Sequence, residues 1–359
     1  MNSVLRLLRN TRTTWPRLAA LRVLLNCLAP RAVARALLRN TRTTWPRHAA
    51  LRVFLNCLAP LVAARALLRG GRFRLPLLAT GAVCLFAQLP NEVEVTRVAG
   101  GLRFPTGLAW SRDGFLVLAD GERREIYRLD TDQRPKPTHQ DTNGAQGIAY
   151  DSQSRLYICE TAARKVVRLD KRGNFETVAG SFEGKKLNSP NDVAVRRDGH
   201  AWFTDPAFAG DIDRRELSFN GIFHVPPKGE IEAVARWQTR PNGVTLSADG
   251  KRLLVTDADR HAVVAFELDS KGAATNQRDL ITGIDGVPAG LRVDAAGNIY
   301  VGAHGLAIYS PAGKLLRTML SSLRVLNCTF GGPDLESLFV ATPKDVYRLR
   351  LGVKGGLQY

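Results

Sequence analysis

The stretch RPNGVTLSADGKRLLVTDADRHAVVAFELD (240–269) decides the fold. A short apolar run, GVTL (243–246), meets the polar turn SADG (247–250). A second run, RLLVTD (252–257), follows, then another polar turn, then a third run, AVVAFELD (262–269). Short runs of β-favouring residues bounded by Asp-Gly and similar turns read as neighbouring strands joined by tight hairpins.

The same phrase recurs along the chain. Its first run appears as GLAW (107–110), GIAY (147–150), DVAV (192–195), GVTL (243–246), GLRV (290–293) and NCTF (327–330). The turns after them are SRDG, DSQS, RRDG, SADG, DAAG and GGPD. The second runs are FLVLAD, RLYICE, HAWFTD, RLLVTD, NIYVGAH and SLFVAT. The third are EIYRLD, KVVRLD, GIFHV, AVVAFELD, GLAIYS and DVYRLRL. Successive first runs lie 40, 45, 51, 47 and 37 residues apart. One such unit cannot bury both faces of its sheet, so the units must stack, and stacking around a circle predicts an all-β, six-bladed β-propeller. Only eight residues follow 346–351, so the sixth blade lacks an outermost strand. VEVTRVA (93–99) precedes the first blade without a partner, and the two are expected to pair and close the ring.

The chain divides by charge. It has 359 residues, 51 Lys+Arg, 33 Asp+Glu and a formal net charge of +18. Before Glu92 there is no acidic residue and there are fifteen Arg, so +15 sits in the first quarter and only +3 on the rest. The near-neutral part and its lack of a basic-aromatic run exclude nucleic acid as a partner of the propeller. The expected division is an Arg-rich leader (1–68), irregular or helical, a signal-peptide-like segment (69–87) and the propeller (92–352). Residues 7–36 and 37–66 are a tandem repeat identical at 25 of 30 positions. Such an acid-free leader reads as a targeting segment, as a basic arm, or as an extension that adds little. In 69–87 the basic RGGRFR (69–74) precedes an apolar run ending at Ala87, the order of an export signal. The expected location is therefore periplasmic or extracellular, with organellar or cytoplasmic residence as alternatives. The apolar stretch 75–87 contains Pro76 and Gly81 and is too short to span a bilayer, so no transmembrane span is expected in the mature protein. Cys159 and Cys328 are expected to be plain buried hydrophobes.

Propeller geometry places two rings of residues at one end of the central channel. The residue before each first strand lies at the mouth: Thr106, Gln146, Asn191, Asn242, Ala289 and Leu326. The residue ending each second strand returns to the same face further out: Asp120, Glu160, Asp205, Asp257, His304 and Thr342. Carboxylates at strand ends often serve only to bind turn amides. As candidates for chemistry, Asp205 and His304 stand out, the imidazole because it titrates near neutrality.

The phrases LNSPNDVAVRRDGHAWFTDPAF (187–208), RPNGVTLSADGKRLLVTDADR (240–260), GVPAGLRVDAAGNIYV (286–301) and NCTFGGPDLESLFVAT (327–342) resemble the gluconolactonase group of the senescence marker protein/gluconolactonase/luciferin-regenerating-enzyme-like family. The resemblance implies a propeller that hydrolyses sugar lactones or related esters, with a divalent cation, calcium or zinc, in the channel. It implies a cation held by a first-blade Glu, a fourth-blade Asn and a fifth-blade Asp, with further Asn residues orienting a small-molecule substrate. In this chain the fourth-blade Asn is Asn242 and the third-blade Asn is Asn191, which stand as metal candidates. Asn191 and Gln146 stand as substrate-binding candidates. Thr106 and Ala289 occupy the places of the Glu and Asp. Two functions are therefore expected to compete: a lactonase with an atypical metal site, and an inactive propeller that binds a small molecule or a protein at the mouth.

Overall fold

The computed structural model describes residues 92–130, 134–208 and 210–356. The 1–68 leader with its repeat and the 69–87 segment lie outside the described residues. Among the described residues no helix is long and apolar enough to cross a membrane.

Among the described residues six antiparallel blades follow one another, beside one two-stranded hairpin of Ser181–Phe182 and Lys185–Lys186, and the expected blades are all present. The opening stretch forms the first three strands of the fourth blade, Pro241–Leu246, Arg252–Asp257 and Ala262–Leu268, and Ala274–Ile281 completes it. Its turn shows why the sequence reads as it does. Ser247 Oγ donates to Asp249 Oδ1 at 2.6 Å, the Gly250 N–H returns to Ser247 O at 2.8 Å, and Gly250 takes φ +68°. Only glycine adopts that φ without strain. In the fifth blade one unbroken stretch, Ile299–Tyr309, serves two positions. Its first half pairs with Leu291–Val293 and its second with Leu315–Arg324.

The ring closes as the sequence implies. Glu94–Gly100 pairs antiparallel with Asp345–Arg350, from Glu94 opposite Arg350 to Gly100 opposite Asp345. That strand supplies the outer edge of the sixth blade, whose own strands are Asn327–Gly331, Ser337–Ala341 and Asp345–Arg350. Arg97 adds a short ion pair to Asp345, its Nε lying 2.8 Å from Oδ1. The six innermost strands then touch their neighbours all the way round.

The core lies between blades. A strand alternates its side chains between two faces, so successive residues enter successive interfaces. Leu253 and Val255 pack with Trp202 and Ile222 of the third blade, whereas Leu254 packs with Leu291 and Val301 of the fifth. Cys159 and Cys328 are free thiols in such interfaces, and burial pushes Cys328 up to about 12. Both are hydrophobic filling, as expected.

Convergence of the inner strands limits side-chain size at one level. A Cβ on Gly107 would lie 2.1 Å from Gln146 O, and one on Gly243 would lie 2.4 Å from Ala289 O. Gly147 and Gly290 are equally confined. The third and sixth blades carry Asp192 and Asn327 at this level, and each bonds a neighbouring inner strand. The Val244 N–H donates to Asp192 Oδ2 at 3.0 Å, and Asn327 Nδ2 donates to Thr106 O at 2.7 Å. Gly243→Ala should therefore destabilise the fold by about 1–3 kcal/mol, because the clash is with backbone that cannot yield. Gly210→Ala, where a Cβ meets nothing within 4 Å, should be near neutral. Denaturant unfolding of the two variants beside the parent checks this.

Candidate functional site at the channel mouth

Each mouth residue is fixed by the inner strand that follows it. The Asn191 N–H donates to Thr204 O at 2.8 Å, and Asn191 O accepts from the Gly147 N–H at 2.7 Å, which ties the third blade to the second. Thr204 Oγ1 donates to Asn242 O at 2.5 Å, which ties it to the fourth. Asn242 Nδ2 donates to Pro288 O at 3.0 Å, leaving the amide oxygen for other use. Thr106 Oγ1 donates to Gln146 Oε1 at 2.5 Å. Thr106, Gln146, Asn191 and Asn242 are half-buried, and Ala289 and Leu326 are buried. The mouth is thus a polar arc of four neutral side chains opposite a short apolar arc.

The second ring serves mainly the turns. Both oxygens of Asp120 accept backbone amides, Oδ2 from Arg103 at 2.8 Å and Oδ1 from Phe104 at 3.0 Å. Asp257 accepts from Thr239 Oγ1 at 2.7 Å and from the amides of Asp259 and Arg260. Glu160 lies 3.3 Å from Lys165 Nζ. Thr342 is tied to Asp345 by its N–H and its hydroxyl. His304 is 59% exposed, with Nδ1 3.2 Å from Asp285 Oδ2, so it stands on the rim rather than inside the channel.

Asp205 is fully buried. Its Oδ2 accepts the Asn188 N–H at 2.7 Å, and its Oδ1 has no partner among the described residues. Burial raises its pKa to about 7, against the pull of the Asn188 and Ser189 amides. The folded protein therefore binds a proton here that the unfolded chain releases near pH 4. Stability should fall as pH rises from about 4 to about 7, by up to ~4 kcal/mol. Asp205→Asn keeps an acceptor for Asn188 and removes the titration. It should match the parent at pH 4 and exceed it in stability at pH 8, as read by thermal unfolding at both pH values.

The channel interior holds a charge pair that stands outside the sequence candidates. Asp192 is 2% exposed and Arg292 is 7% exposed. Arg292 reaches from the fifth blade to the third, its Nη1 lying 3.8 Å from Asp192 Oδ2 and donating to Leu291 O at 2.7 Å. Asp192 Oδ1 has no partner among the described residues. Burial pushes the Asp192 carboxyl up, while the Arg292 charge and the Val244 and Val193 amides pull it back. Arg292 itself helps line a cavity of about 50 Å³ at the far ends of the inner strands, together with Ala109, Ala149 and Thr329. The signal for the pair is in the aligned first strands. Their third residues are Ala, Ala, Ala, Thr, Arg and Thr, so Arg292 is the one charge in that register.

The mouth does not fit a resident calcium or zinc ion. The charged oxygens that such an ion requires are missing there: Thr106 and Gln146 bond each other, Ala289 has no donor atom, and Asn191 and Asn242 are neutral amides. Among the described residues no group of three or more His, Cys, Asp or Glu is arranged to hold a metal.

Comparison with known proteins places this geometry. Residues 104–344 match the SMP-30/gluconolactonase/LRE-like region, and the chain belongs to that family. A gluconolactonase from Zymomonas mobilis is 26% identical over 298 residues, which cover 74% of this chain and 83% of that protein. The solved structure of a Xanthomonas campestris gluconolactonase superposes with a TM-score of 0.68 at 28% identity, covering 74% of this chain and 92% of that one. A calcium-binding protein, regucalcin, from Agrobacterium tumefaciens has a TM-score of 0.60 at 19% identity, covering 73% of this chain and 96% of that one. At that identity the last match shows the fold alone.

Proposed function

We propose that this chain hydrolyses sugar lactones at the channel mouth. The observation that supports the reading is the arc of neutral donors and acceptors, Thr106, Gln146, Asn191 and Asn242, set in a propeller of this family. A sugar lactone is uncharged and carries several hydroxyls, each able to give and take a hydrogen bond. Primary amides and a threonine hydroxyl meet both needs without placing a charge against the sugar. The buried Ala289 and Leu326 give the ring carbons an apolar side to lie against.

In the reaction, water oxygen bonds the carbonyl carbon and the ring C–O bond breaks. The ring oxygen leaves as an alcohol with one of water's protons, and the new acid releases the other. The carbonyl oxygen gains negative charge on the way, so a donor or cation fixed near it lowers the barrier. Asn191 and Asn242, held by backbone contacts on both sides, hold substrate in place with little reorganisation.

A second reading, binding without turnover, is favoured by the buried, donor-free position of Ala289 and Leu326 in the ring. One experiment separates the two. Gluconolactone opening is followed by acid release at constant pH, with the uncatalysed rate subtracted. Hydrolysis above that background is expected. Asn191→Ala and Asn242→Ala should each lower kcat/KM roughly 10- to 100-fold, the cost of one or two buried polar contacts in the transition state. An unaltered protein that binds lactone and releases no acid supports the binding reading instead.

A further inference from the structure

A buried guanidinium has five N–H donors to satisfy, and each one left without an acceptor costs stability. Arg292 is 8% exposed at its side chain. Its Nη1 donates to Leu291 O at 2.7 Å and lies 3.8 Å from Asp192 Oδ2, beyond hydrogen-bond length. Its Nε and Nη2 have no hydrogen-bond partner among the described residues. Asp192 offsets only part of the charge, because its Oδ2 is shared with the Val244 N–H and burial pushes its carboxyl up. The cavity of about 50 Å³ at the far ends of the inner strands is where these unused donors matter. Arg292 is the one charged residue in its wall, and Asp192 is not part of that wall. Thr329, from the adjacent sixth blade, lines the same cavity, is 7% exposed, and its hydroxyl has no partner among the described residues. Ala109, Ala149 and Val293 give the cavity apolar sides. A cavity with only apolar sides stays dry, whereas one that holds unpaired donors calls for an acceptor. It shares Leu335, Gly355 and Gly356 with an open groove of about 530 Å³ on the far face, which gives a ligand a way in.

We propose that this cavity is a second binding site, separate from the mouth, for a small monocarboxylate held by the Arg292 guanidinium and the Thr329 hydroxyl. The class follows from charge, donors and size. A carboxylate brings one negative charge and two acceptor oxygens, which suit the Nε–Nη2 edge of a guanidinium. A hydroxyl adds a third donor, and a short hydrocarbon end suits the alanine and valine sides. One water needs about 10–15 Å³ on this measure, so the cavity takes about four water-sized groups, the size of acetate. An opened sugar acid with its chain of hydroxylated carbons is too large, so the site is not a second place for the product of lactone opening. The binding makes and breaks no covalent bond, and it does not rest on the lactone reading.

The test titrates the full chain by calorimetry with sodium acetate in a chloride-free zwitterionic buffer, and with acetamide as a neutral probe of the same shape. Acetate is expected to bind once per chain with a Kd of about 1 mM or below, within the limit for so small a ligand. Acetamide should bind at least about 10-fold more weakly, because it brings no charge to the guanidinium. Arg292→Gln should weaken acetate roughly 100-fold, the loss of a charge-assisted pair of bonds, and Thr329→Val should weaken it about 10-fold. Thr329→Val changes shape little, so it and the acetamide comparison decide the matter if the Arg292 variant does not fold. Absence of acetate binding in the unaltered protein overturns the proposal, as does equal binding of acetate and acetamide. Acetate affinity unchanged in Thr329→Val and Arg292→Gln overturns it too. Loss of acetate binding in Asn191→Ala or Asn242→Ala, with Thr329→Val unaffected, puts the carboxylate at the mouth and overturns it. Chloride that binds more tightly than acetate makes the occupant an inorganic ion and overturns the carboxylate assignment.

Discussion

Six strands that converge on one axis leave room for few side chains at the level where they meet, and the rest of the molecule is arranged around that limit. Gly107, Gly147, Gly243 and Gly290 sit there because a Cβ would strike the neighbouring strand. Asp192 and Asn327, at the same level in opposite blades, use their side chains to bond the strands that the glycines merely approach. Close approach brings the six mouth residues together one position earlier in each strand. It also makes any charge below them a buried charge.

That consequence gives the site its character. Below the mouth the charged side chains are buried, and a single charge there acts over several ångströms with little screening. The chain places one positive charge there, Arg292, and one carboxylate, Asp192, joined at 3.8 Å. Two acids of the outer ring and its histidine are engaged elsewhere. Asp120 and Asp257 are occupied with turn amides, and His304 is on the rim beside Asp285. On the proposed reading the mouth recognises an uncharged polyhydroxy ring.

The architecture was legible in the sequence because it repeats. Strand, Asp-Gly turn, strand recurs six times, and the unpartnered 93–99 had one place to go, beside 345–350. The mouth ring was legible for the same reason, since register fixes which residue precedes each inner strand. The Asp192–Arg292 pair was harder to read. Its members are 100 residues and two blades apart, and neither belongs to a motif. Only alignment of the inner strands against one another isolates Arg292 as an oddity, and only the closed ring brings it to Asp192. The outer acids show the reverse case. Their place at strand ends suggested turn-binding, and Asp120 and Asp257 do bind turn amides, although which amides they take depends on backbone geometry that sequence does not display.

The most direct test of this account is the lactone-opening rate of one purified sample before and after a strong chelator, with calcium and then zinc added back. The account predicts hydrolysis above background, unchanged by chelation and unimproved by either ion. A rate that collapses with chelator and returns with calcium or zinc contradicts it, and places a metal ion at the channel mouth.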